Sequence, residues 1–494
     1  MSIDRGLRRL ALRTLLAAFP GPSAPDWGLD LLADGLAGHT LFGTNVSDPA
    51  QLAQLTARLR SARPDALIAI DEEGGDVTRL GHRTGSAYPG NAALGAADDP
   101  ELTRQVYAAM GDDLAATGVN LNLAPTVDVN TAAENPIIGT RSFGADTALV
   151  ARHTAAAVAG LQSAGVAACA KHFPGHGATV TDSHLELPTV DAPLELLRSR
   201  DLPPFAAAVA AGARAVMSAH IRVPALTGDG PATFSRAALE GLLRSEYGFD
   251  GVIVTDALEM RGAAGAAGGI PKAAVAALAA GADLLCIGAV VDRELVLAVA
   301  DEVAAAVGDG RLELVRLEQA VARNAELAAW AAHARVTRSA GPELTSQELG
   351  ISAARRALLV DGEPAALADP LVVQLISGYS IAEGKVPWGL RPFLGEVEQI
   401  DVVASEVTAD ELIERAGGRP IVLVGRRVHE AAASRGLAEK LAAAWPSGVV
   451  ELGWPSAWRP EGVRAFLVTH GASLASCRVA AEALGLVTER QDVP

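Results

Sequence analysis

The chain has 494 residues, half of them hydrophobic, and a formal net charge of −17. That length exceeds what a single hydrophobic core organises and implies more than one domain. The acidic balance, with no basic stripe, argues against nucleic acid as a partner, and no charge-free apolar run reaches the roughly 20 residues of a membrane span.

Taken in chain order, Arg5, Arg8 and Arg9 precede a short apolar run that Arg13 interrupts, with no cleavage site after it. The start therefore reads as an amphipathic helix ended by Pro20-Gly21-Pro22, and the expected location is the cytoplasm. From there to about Leu327, strand-like segments alternate with alanine-rich helical ones. The predicted strands are Thr40–Gly43, Leu67–Ile70, Val119–Leu123, Ala167–Ala170, Ala215–Met217, Gly251–Val254 and Leu284–Ile287. The predicted helices between them include Pro100–Thr117, Ala148–Ala164, Leu196–Ala211 and Lys272–Ala280. Repeated β-then-α order implies a parallel sheet, and these segments suit an α/β fold of the (β/α)8 TIM-barrel type with one weak strand unrecognised. A doubly wound open sheet is the alternative, although no Gly-x-Gly-x-x-Gly turn opens the first unit.

Polar groups follow these strands one after another. Asp71-Glu72-Glu73-Gly74-Gly75 follows the second. Asn122, Pro125 and Asp128 lie at or after the end of the third, Lys171-His172 after the fourth, Ser218 and His220 after the fifth, and Thr255-Asp256 after the sixth. One such cluster would be a solvated loop; a succession on one sheet edge is what a barrel active site requires. The densest is Lys171-His172-Phe173-Pro174-Gly175-His176-Gly177 with Asp182-Ser183-His184 after it, where a buried strand runs into a polar loop. Asp182 with His184 is a candidate proton-transfer pair, and Gly175 and Gly177 suggest a deformable loop. Asp256 ends the β-branched run Val252-Ile253-Val254-Thr255; it reads either as a rigidly aimed nucleophile, base or ligand, or as the N-cap of a helix over the residues that follow. Cys169, Cys286 and Cys477 are far apart in apolar company and read as small buried hydrophobes.

Composition changes near His333. The expected organisation is a catalytic barrel over 1–334, a polar linker over 335–350 passing into a helix, and a smaller C-terminal α/β accessory domain over 351–494. Its predicted strands are Arg356–Val360, Leu371–Ile376, Pro420–Val424, Val449–Leu452 and Ala465–Val468, and its polar candidates are Arg426-Arg427, His429 and His470.

Five stretches together carry a resemblance. They are Ala69 through Gly75, Leu123 through Val129, Asn135 through Phe143, Lys171 through Gly177 with Asp182-Ser183-His184, and Val254 through Leu258. The chain resembles the glycoside hydrolase family 3 β-N-acetylglucosaminidases, the NagZ-type β-hexosaminidases of peptidoglycan recycling. The resemblance implies a retaining, exo-acting enzyme that removes terminal N-acetylglucosamine. It assigns Asp256 as nucleophile, His184 as acid/base and Asp182 as its partner. It assigns Asp71, Arg79, Arg141, Lys171 and His172 to holding the sugar. It calls for no metal and no cofactor, and for a small carbohydrate or muropeptide substrate with neither nucleic acid nor membrane as partner. Asp76 departs from the pattern, standing where many relatives have arginine.

The residue types suit that chemistry. A retaining glycosidase needs a nucleophile on one face of the sugar and a proton donor on the other. Histidine starts near a pKa of about 6.5, and an anionic Asp182 would favour its protonated form. Such a donor carries no negative charge opposite the anomeric carbon, so phosphorolysis is an alternative. A β-glucosidase taking its acid from the second domain is another, against which the intact Asp182–His184 pair argues. A carbohydrate-binding module would require loss of the nucleophile or the donor. His172, His176 and His184 lack zinc-site spacing, and Pro174 breaks any helix that would align the first two.

Overall fold

A computed structural model describes residues 4–183, 186–288, 291–337 and 345–487. By compactness the chain forms two units. The first comprises Met1–Glu73, Pro100–Ile138 and Gly144–Glu343; the second comprises Gly74–Asp99, Gly139–Phe143 and Leu344–Pro494.

The first unit is an eight-stranded parallel sheet of β1 (Leu15–Ala17), β2 (Gly38–Leu41), β3 (Leu67–Ile70), β4 (Leu121–Asn122), β5 (Ala167–Phe173), β6 (Ala215–Ser218), β7 (Val252–Thr255) and β8 (Leu285–Ile287). Neighbours pair in sequence order from β1 to β7, and β8 pairs with β1. A further parallel bridge, Val254 to Leu284, joins β7 to β8, so the sheet curls into a barrel rather than the open doubly wound alternative. Strand residues are buried throughout, as a parallel sheet covered by helices requires.

The strand unrecognised in the sequence is β1. The N-terminal helix is short, Arg5–Leu12, with Asp4 as its cap accepting from the Gly6 and Leu7 amides at 2.7 and 3.1 Å. It stops there instead of running to Pro20. Leu15-Leu16-Ala17 carries no β-branched residue and has helical propensity. What makes it a strand is pairing on both sides, with β2 and β8, and complete burial. The predicted helix Leu196–Ala211 is two, Leu194–Arg200 and Pro203–Ala210, because Pro203 and Pro204 start a new helix rather than continue one.

At the seam between β7 and β8, one buried carboxylate collects three guanidinium groups. Asp283 accepts from Arg244, from Arg316 at 2.5 Å and from Arg323 at 3.1 Å, and also from the Ile253 amide at 2.9 Å. It joins the helices Ala237–Glu246 and Leu314–Thr337 to the seam.

The second unit contains a six-stranded sheet in the order β11-β10-β12-β13-β14-β9, formed by β9 (Leu359–Gly362), β10 (Leu371–Leu375), β11 (Gln399–Val402), β12 (Ile421–Gly425), β13 (Ser447–Glu451) and β14 (Ala465–Val468). All pairs are parallel except β14 with β9. The predicted strand Arg356–Val360 is a helix, Ser346–Ala357, followed by the exposed edge strand β9. The helix is favoured by a capping box between Thr345 and Glu348 and by one apolar face. The strand order reverses at β10, with β11 on one side and β12 on the other; crevices at such switch points are where open α/β sheets take ligands. Cys169, Cys286 and Cys477 are buried and unpaired. Among the described residues, no single helix is long and apolar enough to cross a membrane.

Replacing Asp283 by asparagine leaves the largely buried guanidinium groups of Arg244 and Arg316, and the partly exposed one of Arg323, without their carboxylate. Asp283→Asn is expected to lower the unfolding free energy by about 3–5 kcal/mol in a urea titration, the cost of breaking a buried ion pair. A loss below about 0.5 kcal/mol, the scale of ordinary surface substitutions, would show the seam to be held by packing alone.

Candidate active site

The chemistry-bearing residues of the first unit lie at the carboxyl ends of its strands. Lys171 is within β5 rather than in a loop after it: the strand extends to Phe173. Its buried ammonium is held between two carboxylates, Asp71 Oδ1 and Glu73 Oε1, each at 2.7 Å. Asp71 and Glu73 follow β3 two residues apart, and Glu73 Oε2 also accepts from the Thr126 hydroxyl at 3.1 Å. Backbone between them is fixed by Asn122, which accepts from the Glu72 amide at 2.9 Å and donates to the Glu72 carbonyl at 2.7 Å. Thus Asp71 and Lys171, both expected to hold sugar, are brought together from positions far apart in the chain.

His172 is anchored by Asp128. The ring Nδ1 lies 2.7 Å from Oδ2, which makes Nδ1 the donor, and the His172 amide points at both carboxylate oxygens at 3.3 Å. The His176 amide donates to Oδ1 at 2.6 Å. Burial alone would raise the Asp128 carboxyl, but His172, His176 and these donors hold it below the usual carboxylate range. His176 itself is pushed down to about 4 by burial and by the nearby His172, so it is a neutral ring that contacts the Thr179 hydroxyl at 2.7 Å and the Ser183 hydroxyl at 3.2 Å. These contacts pin the loop next to Asp182. The two glycines there have a packing reason. A Cβ on Gly177 would lie 1.9 Å from the Val129 carbonyl oxygen, and one on Gly175, at φ +125°, would lie 2.7 Å from the Asp201 Cβ.

Asp182 is half-buried and its carbonyl accepts from the Glu186 amide at 3.1 Å. His184, the expected acid/base, lies outside the described residues.

Asp256 follows β7 directly. It is not a helix cap: the next helix is Arg261–Ala267, and Met260 occupies its cap position. The carboxylate instead accepts from its neighbour's amide, Ala257, at 2.8 Å, while the Asp256 amide donates to the Ser218 carbonyl at 3.2 Å. His220 Nε2 donates to the Ala257 carbonyl at 3.1 Å, so the residue after β6 holds the turn after β7. Asp71 and Asp256 act on the same buried points. Burial and both carboxylates raise the Cys286 thiol; burial also raises Cys169, with Lys171 opposing and both carboxylates adding.

Arg79 and Arg141 belong to the second unit. Arg79 donates to the Ala382 carbonyl at 2.8 Å and the Glu383 carbonyl at 3.3 Å. The Arg141 carbonyl accepts from Asn91 Nδ2 at 2.7 Å.

Glu73 and Asp128 are not among the sequence-assigned residues, although each stands inside a quoted motif. For Glu73 the signal is alternation, which sends residues 71 and 73 of an extended segment to one side. For Asp128 it is a carboxylate, one per loop, facing a histidine on the next strand.

An eight-stranded parallel barrel with acids, an ammonium and histidines at one end of its strands is the architecture of a barrel enzyme. The family described as the glycosyl hydrolase family 3 N-terminal domain matches residues 28–327. A beta-hexosaminidase of Stenotrophomonas maltophilia (strain R551-3) is 40% identical over 280 residues, spanning 55% of this chain and 81% of that protein. Beta-hexosaminidase A of Pseudoalteromonas piscicida is 39% identical over 248 residues, 46% of this chain and 42% of that longer protein. Among solved structures, a glycoside hydrolase family 3 beta-N-acetylglucosaminidase from Paenibacillus sp. str. FPU-7 superposes with a TM-score of 0.86 at 33% identity, covering 98% of this chain and 97% of that one. The chain belongs to glycosyl hydrolase family 3.

The sign of the acid response follows from His176. Its folded-state value lies below the ordinary 6.5, so the unfolded chain takes up the proton first. Stability held by the neutral ring is complete above about 6.5 and drains as pH falls toward about 4. NMR titration of the His176 ring is expected to show no protonation between about pH 5 and 8; a midpoint near the ordinary value would refute its burial as a neutral group.

Proposed function

We propose that the chain is a retaining, exo-acting β-N-acetylglucosaminidase that removes terminal N-acetylglucosamine from peptidoglycan-derived or related glycosides. The observation that carries the reading is Asp256. Its carboxylate follows directly from a buried central strand, caps no helix, and shares an electrostatic neighbourhood with the Asp71–Lys171 pair. The names of the Stenotrophomonas and Paenibacillus relatives support the same sugar.

In this reading an Asp256 carboxylate oxygen attacks the anomeric carbon. The bond to the leaving oxygen breaks as His184, oriented by Asp182, gives that oxygen its proton. The glycosyl–Asp256 ester then yields to water: His184 takes a proton from the water, the hydroxyl adds to the anomeric carbon, and Asp256 leaves as carboxylate. Lys171 donates to sugar hydroxyls and Asp71 accepts from them, each held by the other so that neither pays for its own alignment when substrate arrives. His172, fixed at Nδ1 by Asp128, presents Nε2 to the sugar. Arg79 and Arg141 are the remaining sugar-holding groups. No metal or cofactor takes part.

The deciding experiment is product analysis on an aryl β-N-acetylglucosaminide and an aryl β-glucoside, each with and without phosphate. Free N-acetylglucosamine released from the first in both buffers is the expected result. Sugar 1-phosphate, or preference for the glucoside, would replace this reading. Asp256→Asn is expected to lower kcat by about a thousandfold or more while thermal unfolding stays as in the wild type. Near-normal turnover in a folded variant would remove Asp256 from the reaction.

A further inference from the structure

The second unit holds a cavity of about 450 Å³ whose lining comes wholly from that unit. Small-molecule sites span about 300–1,000 Å³. The chemistry of the lining comes from Gln374 on β10, Asp401 on β11, and Pro387, Trp388, Arg391 and Pro392 on the connection between those strands. Gln374 and Asp401 stand near the carboxyl ends of their strands, at the place where strand order reverses.

The sequence of β10 is Leu371-Val372-Val373-Gln374-Leu375, so alternation puts Val372 and Gln374 on one face. Val372 belongs to a core with Val424, Val450 and Leu467. Two residues on, where another apolar side chain would extend that core, stands an amide. Asp401 is the register partner of Gln374, so both side chains leave the same face of the sheet. Gln374 Nε2 donates to the Trp388 carbonyl at 3.3 Å, and its Oε1 accepts from Gln399 Nε2 at 3.2 Å. Gln399 Nε2 also donates to Asp401 Oδ1 at 2.9 Å, and Arg391 Nη2 donates to the same oxygen at 2.9 Å. These bonds orient the Gln374 amide while using one of its two N–H groups and one of its two lone pairs. Gly389 lets the connection close over the amide: its φ is +107°, and a Cβ there would lie 1.9 Å from Gln374 Oε1.

Trp388 is half-buried between the exposed rings of Pro387 and, further along the connection, Pro392. The Arg426 guanidinium carbon lies 5.9 Å from the indole centre and steadies the ring. A flat indole beside an oriented amide and a carboxylate matches a ligand with an apolar ring face and hydroxyls at its edge. Asp401 and Arg391 neutralise each other, so the lining favours an uncharged ligand. The remaining ionisable side chain of the lining, the Cys477 thiol, is pushed up to about 12 by burial and supplies no nucleophile at neutral pH.

We propose that this cavity is a non-catalytic saccharide site of the second unit, which takes an uncharged sugar by stacking on Trp388 and by hydrogen bonds to Gln374 and Asp401. The site requires neither Asp256 nor any other group at the strand ends of the barrel.

The test uses the full chain and the indole N–H signal of Trp388 in an NMR titration, assigned by its loss in Trp388→Phe. N-acetylglucosamine is expected to move this signal saturably. Gln374→Met and Asp401→Ala are each expected to raise the Kd read at Trp388 about tenfold, the effect of removing a hydrogen-bonding partner from a bound ligand. In both variants kcat/KM on an aryl β-N-acetylglucosaminide is expected to stay within about twofold of the wild type. A Trp388 signal that the sugar leaves unmoved would overturn the proposal, as would an unchanged Kd in both variants. Inorganic phosphate moving the signal where N-acetylglucosamine does not would replace the saccharide by an anion. A kcat/KM that falls in step with the rise in Kd would make the cavity part of the catalytic site and overturn its independence. If Gln374→Met fails to fold, Asp401→Ala, at an exposed position, decides by the same Kd criterion. A wild-type chain inactive on the aryl glycoside removes the proposed hydrolase activity alone, and the Trp388 titration still decides the saccharide site.

Discussion

Closure of the parallel sheet is the constraint on which the first unit depends. An open sheet would leave rows of amides and carbonyls on β7 and β8 without partners. Pairing of β8 with β1, and the bridge from Val254 to Leu284, removes those edges. With all strands parallel, every connection must return outside the barrel, so all strand ends of one kind open at the same face. That is why Asp71, Lys171, Ser218 and Asp256, spread over nearly two hundred residues, can converge. The opposite end of the β7–β8 seam is devoted to stability, with Asp283 and its three arginines.

At the active face, buried charge is balanced by pairing. Lys171 between Asp71 and Glu73 would be costly to bury alone and is neutralised by two carboxylates at hydrogen-bond distance. Asp128 is satisfied by two amides and one imidazole, which turns a buried carboxylate into a fixed point for β5 and the loop beyond it. The same logic recurs in the second unit, where Arg426 meets the Glu383 and Asp76 carboxylates and where the buried Glu451 carboxylate accepts from the amides of Arg427, Val428 and Gly453. In each place a titratable group stiffens a turn that follows a strand.

Much of this was legible in the sequence, for identifiable reasons. Strands β3 to β7 announce themselves by apolar runs followed by polar groups, and β2 and β8 by their apolar runs alone, since they are buried on both faces. β1 does not, because Leu15-Leu16-Ala17 has the composition of a helix and is a strand only through its two neighbours. β11, at the edge, is Gln399-Ile400-Asp401-Val402, whose half-exposed residues give a weak signal. Asp71, Lys171, His172 and Asp256 were readable as site candidates from motif position. The pairing of Lys171 with Glu73, and of His172 with Asp128, was not, because it depends on how neighbouring strands align in register. Least legible was the destination of Arg79 and Arg141. Sequence order assigns both to the barrel, whereas packing assigns their loops to the second unit.

The charges of the first unit bear on the direction of the chemistry. Asp71 and Glu73 flank the Lys171 ammonium and Asp128 is paired with His172, while His176 is held neutral by burial. A glycosidic bond that breaks with oxocarbenium character develops positive charge at the anomeric carbon, and carboxylates fixed in place stabilise that charge without reorganising at the moment of reaction. The Lys171 ammonium lies 2.7 Å from both Asp71 and Glu73, where it tempers two carboxylates that would otherwise repel each other. The Asp256 carboxylate accepts from the Ala257 amide, which helps to fix its place directly after β7.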